Sequence, residues 1–284
     1  MISATVLAAV LVGALLHASW NALIKGGSDK SLDTALIHGL GIVVALPGLL
    51  WTGLPAREAW PYLAASIVIH LGYYVALVGA YKHGDLGLTY PVMRGLAPLL
   101  VAAVSAAAIG ERLSPSAWAG VLAVSAGVVG IGLSRSGVGG HPGKALRYAL
   151  ANAAIIALYT VIDGLGVRAS GNALAYVATL FVFEGLPYFA LVMWQRRHRR
   201  EATLQHLRGR WPLALAGTAA SFGSYAIALW AMTQAPVTIV AAVRETSVLF
   251  AAALGALWLK EGFGAMRAAG TLLVVAGVIA LRLG

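Results

Sequence analysis

The sequence predicts an all-α membrane protein whose ten transmembrane helices form two inverted five-helix repeats around a central cavity. Three observations lead there: a composition that is 60% hydrophobic and only 11% charged, apolar stretches of bilayer-spanning length that follow one another almost end to end, and a self-match of the chain at a shift of 150 residues.

Composition fixes the solvent. The 284 residues are enough for two soluble domains, but a mean hydropathy of +0.84 does not describe a surface that faces water. In a bilayer every backbone amide must be satisfied inside its own segment, so a spanning helix needs about 20 mostly apolar residues. Such stretches fall near 3–24, 34–53, 60–81, 87–109 and 115–133, then near 146–167, 173–194, 211–232, 237–258 and 265–283. The connections are short. The first span has no basic residue ahead of it and no small-residue cleavage site before a polar mature domain, so it reads as a retained helix rather than a removed signal.

No cysteine is present, which excludes disulfides, thiolate nucleophiles and cysteine metal sites. A net charge of +10 raises the question of nucleic acid. The densest basic run, however, Arg196, Arg197, Arg199, Arg200, Arg208 and Arg210, lies in one loop between two spans. Basic juxtamembrane loops stay cytoplasmic and meet anionic lipid heads, so topology accounts for the charge. The expected partners are the lipid bilayer and a small-molecule substrate, with no nucleic acid.

Ten spans put both termini on one side. That face carries Arg57, Arg112, Arg168 and Arg282; the other carries Lys25, Lys30, Lys82, Arg135, Lys144, Arg147, the six loop arginines, Lys260 and Arg267, a ratio of 4 to 14. The excess marks the second face as cytoplasmic and places both termini in the periplasm of a bacterial inner membrane.

The self-match superimposes Arg94 on Arg244, Glu111 on Glu261, Gly120 on Gly270 and Gly127 on Gly277 without a gap. The halves are then 1–137 and 142–284. Each holds five spans, and an odd number makes the second copy enter the membrane from the opposite side, the arrangement in which two similar halves rock about a central site. Gly120, Gly127 and Gly130 on the fifth span, and Gly270 and Gly277 on the tenth, are spaced to let helix backbones approach closely in lipid.

Two segments carry a resemblance. GERLSPSAWAGVLAVSAGVVGIGL and KEGFGAMRAAGTLLVVAGVIALRL resemble the end of each repeat in the drug/metabolite transporter superfamily, EamA type, where a loop Glu precedes a glycine-bearing last helix. By helix count and duplication the resemblance covers essentially the whole chain. It implies a secondary transporter, and among the ten-helix bacterial members it is most similar to exporters of amino acids, the aromatic amino acid exporters in particular. The second copy departs from the first in having Gly262 after Glu261 where the first has Arg112.

A charged group near the bilayer centre costs about 2.5 to 3.5 kcal/mol on insertion scales, which makes each one a functional candidate. The polar groups inside spans are His17, Asn21, His38, His70, Arg94, Asn152, Asp163, Glu184, Arg244 and Glu245. Arg94 and Arg244 occupy equivalent places, where they close gates, bind a carboxylate or pair with acids. Arg244 and Glu245 project about 100° apart on a helix, so each needs its own partner. Glu184, mid-span, is either a proton-coupling acid or a structural partner, and Asp163 is placed near the periplasmic interface. His17, Trp20 and Asn21 form one stripe, and His70, Tyr73 and Tyr74 a second; Ser221, Ser224, Tyr225 and Trp230 make a weaker third, with Tyr90 and Tyr159 beside them. The expected substrate-binding set is therefore His17, Trp20, Asn21, His70, Tyr73, Tyr74, Tyr90, Arg94, Tyr159, Glu184, Ser221, Tyr225, Arg244 and Glu245.

Aromatic walls, hydroxyls, a cation and an acid suit a zwitterion with an apolar side chain, an amino acid. No Walker A loop, HExxH, GxSxG or paired metal ligands occur, so no cofactor, metal or enzymatic activity is expected. The sequence reads as an exporter of small metabolites, foremost large or hydrophobic amino acids, working by alternating access as a monomer. The competing readings are a multidrug, nucleotide-linked or phosphorylated metabolite carrier and, outside transport, a lipid-modifying membrane enzyme. The last would gather its polar groups at one interface, whereas these are scattered over several spans.

Overall fold

A computed structural model describes residues 2–83, 86–133, 142–259 and 264–283, apart from the side chains of 25, 78, 81, 82, 86–88, 90 and 254–259. Among the described residues there are twelve α-helices and no strand. They are α1 (Ala4–Lys25), α2 (Lys30–Gly39), α3 (Gly41–Thr52), α4 (Trp60–His83), α5 (Leu86–Ile109), α6 (Pro115–Leu133), α7 (Pro142–Ala169), α8 (Ala173–Gln195), α9 (Arg200–Gln234), α10 (Val237–Arg244), α11 (Ser247–Leu259) and α12 (Ala265–Leu283). They make the ten expected spans because α2 with α3, and α10 with α11, are each one span in two pieces.

Local chemistry sets the ends. Ser3, Asp29 and Asn172 cap α1, α2 and α8 by accepting from the N–H groups of Val6 (3.2 Å), Leu32 (3.1 Å) and Leu174 (3.0 Å). Gly110 follows α5 with a φ of 65°, the left-handed conformation that closes a helix and that glycine adopts without strain. The two breaks were not expected from periodicity. The first lies in the sequence His38-Gly39-Leu40-Gly41, where a Cβ on Gly41 would sit 2.8 Å from the Phe181 carbonyl and one on Gly185 would collide with the carbonyl of His38. Both glycines let the broken turn press onto α8. The second falls at Glu245 and Thr246, where the Thr246 hydroxyl donates back to the Val243 carbonyl at 2.7 Å and tightens the last turn of α10.

The eighth span also differs from expectation: α9 begins eleven residues before 211, inside the Arg-rich segment. Acids at the start of α2 hold it and the turn before it. Arg196 donates to Asp29 at 2.7 Å, while His206 and Arg210 meet the buried Asp33 at 2.9 and 3.2 Å. Part of the basic run therefore ties one half of the chain to the other instead of only facing lipid heads.

The helices pack in exchanged pairs. α1 lies on α9 and α4 on α7, two contacts that interchange when the halves are swapped; α2 and α3 lie on α8, α5 meets α10, and α6 packs along α12. The last seam shows the symmetry at atomic scale. A Cβ on Gly120 would lie 2.8 Å from the carbonyl oxygen of Gly277, and one on Gly277 2.8 Å from that of Gly120. Gly127 and Gly270 repeat the reciprocal contact at 2.7 and 2.8 Å. Gly130, expected on the same face, has no atom within 4 Å of its missing Cβ and takes no part. Because lipid gives little drive for apolar association, this backbone approach is what dispersion needs to hold the seam.

Replacing Gly127 by Leu forces the two backbones apart and is expected to cost about 1–3 kcal/mol, seen as a lower thermal midpoint in detergent. Gly130→Leu, which meets open space, is expected to leave that midpoint unchanged.

Candidate functional site

The centre of the bundle is built from three polar groupings, each drawing on both halves of the chain. α4 supplies the stripe that joins them, because Ser66, His70, Tyr73 and Tyr74 fall on one side of a 3.6-residue helix.

The first grouping surrounds Glu184, which is buried in the middle of α8. Tyr74 donates to Glu184 Oε1 at 2.8 Å and lies 3.1 Å from Nδ1 of His38, at the broken end of α2. His70 Nε2 stands 3.8 Å from the same Oε1. Tyr188, one turn further along α8, stacks on Tyr74 at 4.6 Å between ring centres. Among the described residues Glu184 is thus met by the Tyr74 phenol and the His70 imidazole, with His38 one step behind on the phenol oxygen, and no ion pair joins it to Arg94 or Arg244.

The second surrounds Asp163 on α7. Its carboxylate accepts from Tyr176 at 2.8 Å and from the Tyr225 hydroxyl; Ser66, on α4 of the first half, faces it, and its hydroxyl lies 3.1 Å from Nδ1 of His70. Asp163 is 0% exposed. The interfacial placement read from sequence is corrected by this burial and by the two phenol donors, which replace the water an interface would have offered.

The third contains the two equivalent arginines. Arg94 pairs with Glu245 at 2.9 Å, both side chains being buried. Arg244, next to Glu245 in sequence, turns away and lies over the Tyr225 ring at 5.3 Å. The 100° offset between neighbours on α10 therefore sends acid and base to different places, as expected.

Rings link the groupings. His70 and Tyr159 stack at 4.3 Å, Tyr73 meets Tyr74 at 5.4 Å and Tyr159 at 6.0 Å, and Phe181 approaches Tyr225 at 6.1 Å. Trp20 lies between His17, at 5.2 Å, and His38, at 6.0 Å. Its buried indole N–H has no partner among the described residues.

Most of the expected site residues come together here: His17, Trp20, His70, Tyr73, Tyr74, Arg94, Tyr159, Glu184, Tyr225, Arg244 and Glu245. Asn21 instead spends its amide on the His17 carbonyl of its own helix, at 2.8 Å. Ser221 is buried on α9, one turn before Tyr225. The side chain of Tyr90 lies outside the described residues, as does Glu261. Trp230 is displaced from the expected α9 stripe: it is 38% exposed and borders a peripheral groove near Arg168 and Asn172. His38, Ser66 and Tyr176 were not in the expected set. His38 carried a signal as a histidine mid-span beside two glycines; Ser66 and Tyr176 carried none.

A tie below the centre involves the repeat-end glutamate. Glu111 Oε2 accepts from the Thr238 hydroxyl at 2.9 Å and from its N–H at 3.4 Å, in the first turn of α10, where a carboxylate meets the positive end of the helix dipole.

The family model of the EamA-like transporter family matches this chain twice, over residues 4–133 and 143–283. A chain of known crystal structure, 23% identical, superposes with a TM-score of 0.76 over 97% of this chain and 98% of the other, which shows a shared fold. No curated protein matches this chain.

Tyr176→Phe removes one of the donors that hold Asp163 and is expected to destabilise the protein by about 1–3 kcal/mol, measured by denaturation in detergent. Tyr188→Phe, whose hydroxyl serves neither acid, provides the control and should cost less.

Proposed function

Because this chain belongs to the EamA-like transporter family and is a multi-pass membrane transporter of small metabolites, we propose that it exports amino acids with large or hydrophobic side chains across the inner membrane by alternating access. The observation that carries the reading is the state of Arg244. A guanidinium stays charged at every accessible pH, and in the bilayer interior it calls for an anion. The equivalent Arg94 has one, Glu245. Among the described residues no carboxylate pairs with Arg244, whose recorded contact is the face of Tyr225. A substrate carboxylate fits that vacancy through paired N–H···O bonds.

The surroundings favour the rest of an amino acid. The faces of Tyr73, Tyr159 and Tyr225 offer cation–π contact to an ammonium group, Trp20 holds an unused donor, and the rings give an apolar side chain the burial that such sites supply. A lipophilic cation, the multidrug alternative, would find the carboxylates of Glu184 and Asp163 already held by phenol hydroxyls and would leave Arg244 without an anion. The lysine and arginine asymmetry supports an orientation in which the face that holds the Asp33–His206–Arg210 tie is cytoplasmic and both termini are periplasmic.

Purified protein in liposomes is expected to take up radiolabelled phenylalanine or leucine saturably. Arg244→Gln should raise the half-saturating concentration by about tenfold or more, from the loss of a charge-assisted pair, and Arg244→Lys should recover part of it. Tyr225→Ala should weaken uptake while folded protein is retained. Absence of uptake for every amino acid tested would sink the substrate reading, and an unaltered Arg244→Gln would remove Arg244 from the site.

A further inference from the structure

We propose that the turn from α8 into α9 is a binding site for anionic phospholipid headgroups, built from Arg197, Arg200 and Arg208 and bounded by Trp194 and Trp211. A count of lysine and arginine predicts only which side of the membrane a loop takes. The structure sorts the basic run further. Arg196 is neutralised by Asp29, and Arg210 with His206 meets Asp33. Arg197, Arg199, Arg200 and Arg208 are exposed instead, and Glu201 is the single acid in the sequence from Trp194 to Trp211. Among the described residues no ion pair joins these four arginines to an acid.

The tryptophans set the depth. Trp194 and Trp211 are 61% and 53% exposed, and an exposed indole at the end of a span settles at the level of the headgroups. About one turn to the aqueous side of each stands an arginine: Arg197 three residues after Trp194 as α8 ends, and Arg208 three residues before Trp211 as α9 enters its span. Arg197 is held in place. Its guanidinium lies 4.7 Å over the Trp194 ring, and Nη1 donates to the Trp194 carbonyl at 3.0 Å, which leaves its other N–H groups to outside acceptors.

On α9, Arg200, Leu204, Arg208 and Trp211 recur at intervals of four, four and three, so they share one flank. Leu204 is 50% exposed between the two arginines. In water an apolar side chain there has nothing to bury against, whereas the boundary of headgroups and acyl chains takes leucine and indole below and guanidinium above. Nucleic acid offers phosphates but no apolar layer, so the order of groups selects a lipid. The same segment carries His206 and Arg210 to Asp33 of the other half, so a headgroup bound on its outer flank steadies that tie. None of this depends on which metabolite is carried.

Native mass spectrometry of the purified full chain, delipidated in neutral detergent, compares dioleoyl phosphatidylglycerol with dioleoyl phosphatidylcholine, which share their acyl chains. Phosphatidylglycerol should bind more tightly, by about fivefold for each arginine engaged. Arg200→Gln/Arg208→Gln should lower that preference by about 25-fold, while Arg112→Gln/Arg282→Gln, which removes the same charge from the other face, should keep it. Trp194→Leu removes no charge and should still lower the preference by about two- to fivefold, because Arg197 loses its ring. All the altered side chains are exposed, and unchanged helical circular dichroism checks that each variant is folded. Equal binding of the two lipids by wild type overturns the site, as does wild-type preference in Arg200→Gln/Arg208→Gln. An equal loss in Arg112→Gln/Arg282→Gln reduces the effect to net charge and overturns it as well. A preference that Trp194→Leu leaves unchanged overturns the role of Arg197.

Discussion

A carboxylate removed from water needs its donors supplied by the protein, and in this chain those donors come mainly from the opposite half. Glu184 of the second half is held by Tyr74 and faced by His70 of the first. Glu245 of the second pairs with Arg94 of the first, Asp33 of the first with His206 and Arg210 of the second, and Glu111 of the first with Thr238 of the second. Removing water makes each of these bonds stronger and each unpaired group more expensive. The halves are therefore joined by polar contacts that neither could satisfy alone, laid over apolar packing that in lipid has little preference for one partner over another.

The broken spans serve the same constraint. A continuous helix satisfies its own backbone and presents side chains at fixed intervals. Interrupting α2 at His38 and α10 at Glu245 brings side chains and freed backbone groups to the middle of the bundle, where half-helix ends are suited to polar ligands. The breaks fall in the second and ninth spans, which are not equivalents in the duplication. The fifth and tenth spans, by contrast, keep their mutual contact through the same glycines in both copies. Symmetry is thus preserved at the seam and abandoned at the centre.

Fold class, span count and the repeat were legible in the sequence because they are carried by length, hydropathy and a register of charged and glycine residues. Spans ended within a few residues of expectation wherever a cap or glycine stood, and missed where a long-range contact decided. α9 starts eleven residues earlier because Asp33, distant in sequence, holds His206 and Arg210 of its first turns, while Asp29 holds Arg196 just before it. The site was legible as a set of costly residues but not as pairings. Nothing local distinguishes Glu184 with Tyr74 and His70 from Glu184 with an arginine. Asp163 looked interfacial because its position along α7 is near an end, and only the approach of Tyr176 and Tyr225 from other helices buries it.

The Arg94–Glu245 pair has a consequence for how such a molecule came to be one chain. A five-helix protein assembled head to tail with its own copy must present the same dipeptide twice: arginine followed by glycine gives two bare guanidiniums, and arginine followed by glutamate gives two neutralised ones. Covalent fusion frees each copy to drift on its own. Here the first copy reads Arg94-Gly95 and the second Arg244-Glu245, so a single acid pairs with one cation and, among the described residues, leaves the other to an aromatic face, an asymmetry that two identical copies cannot hold.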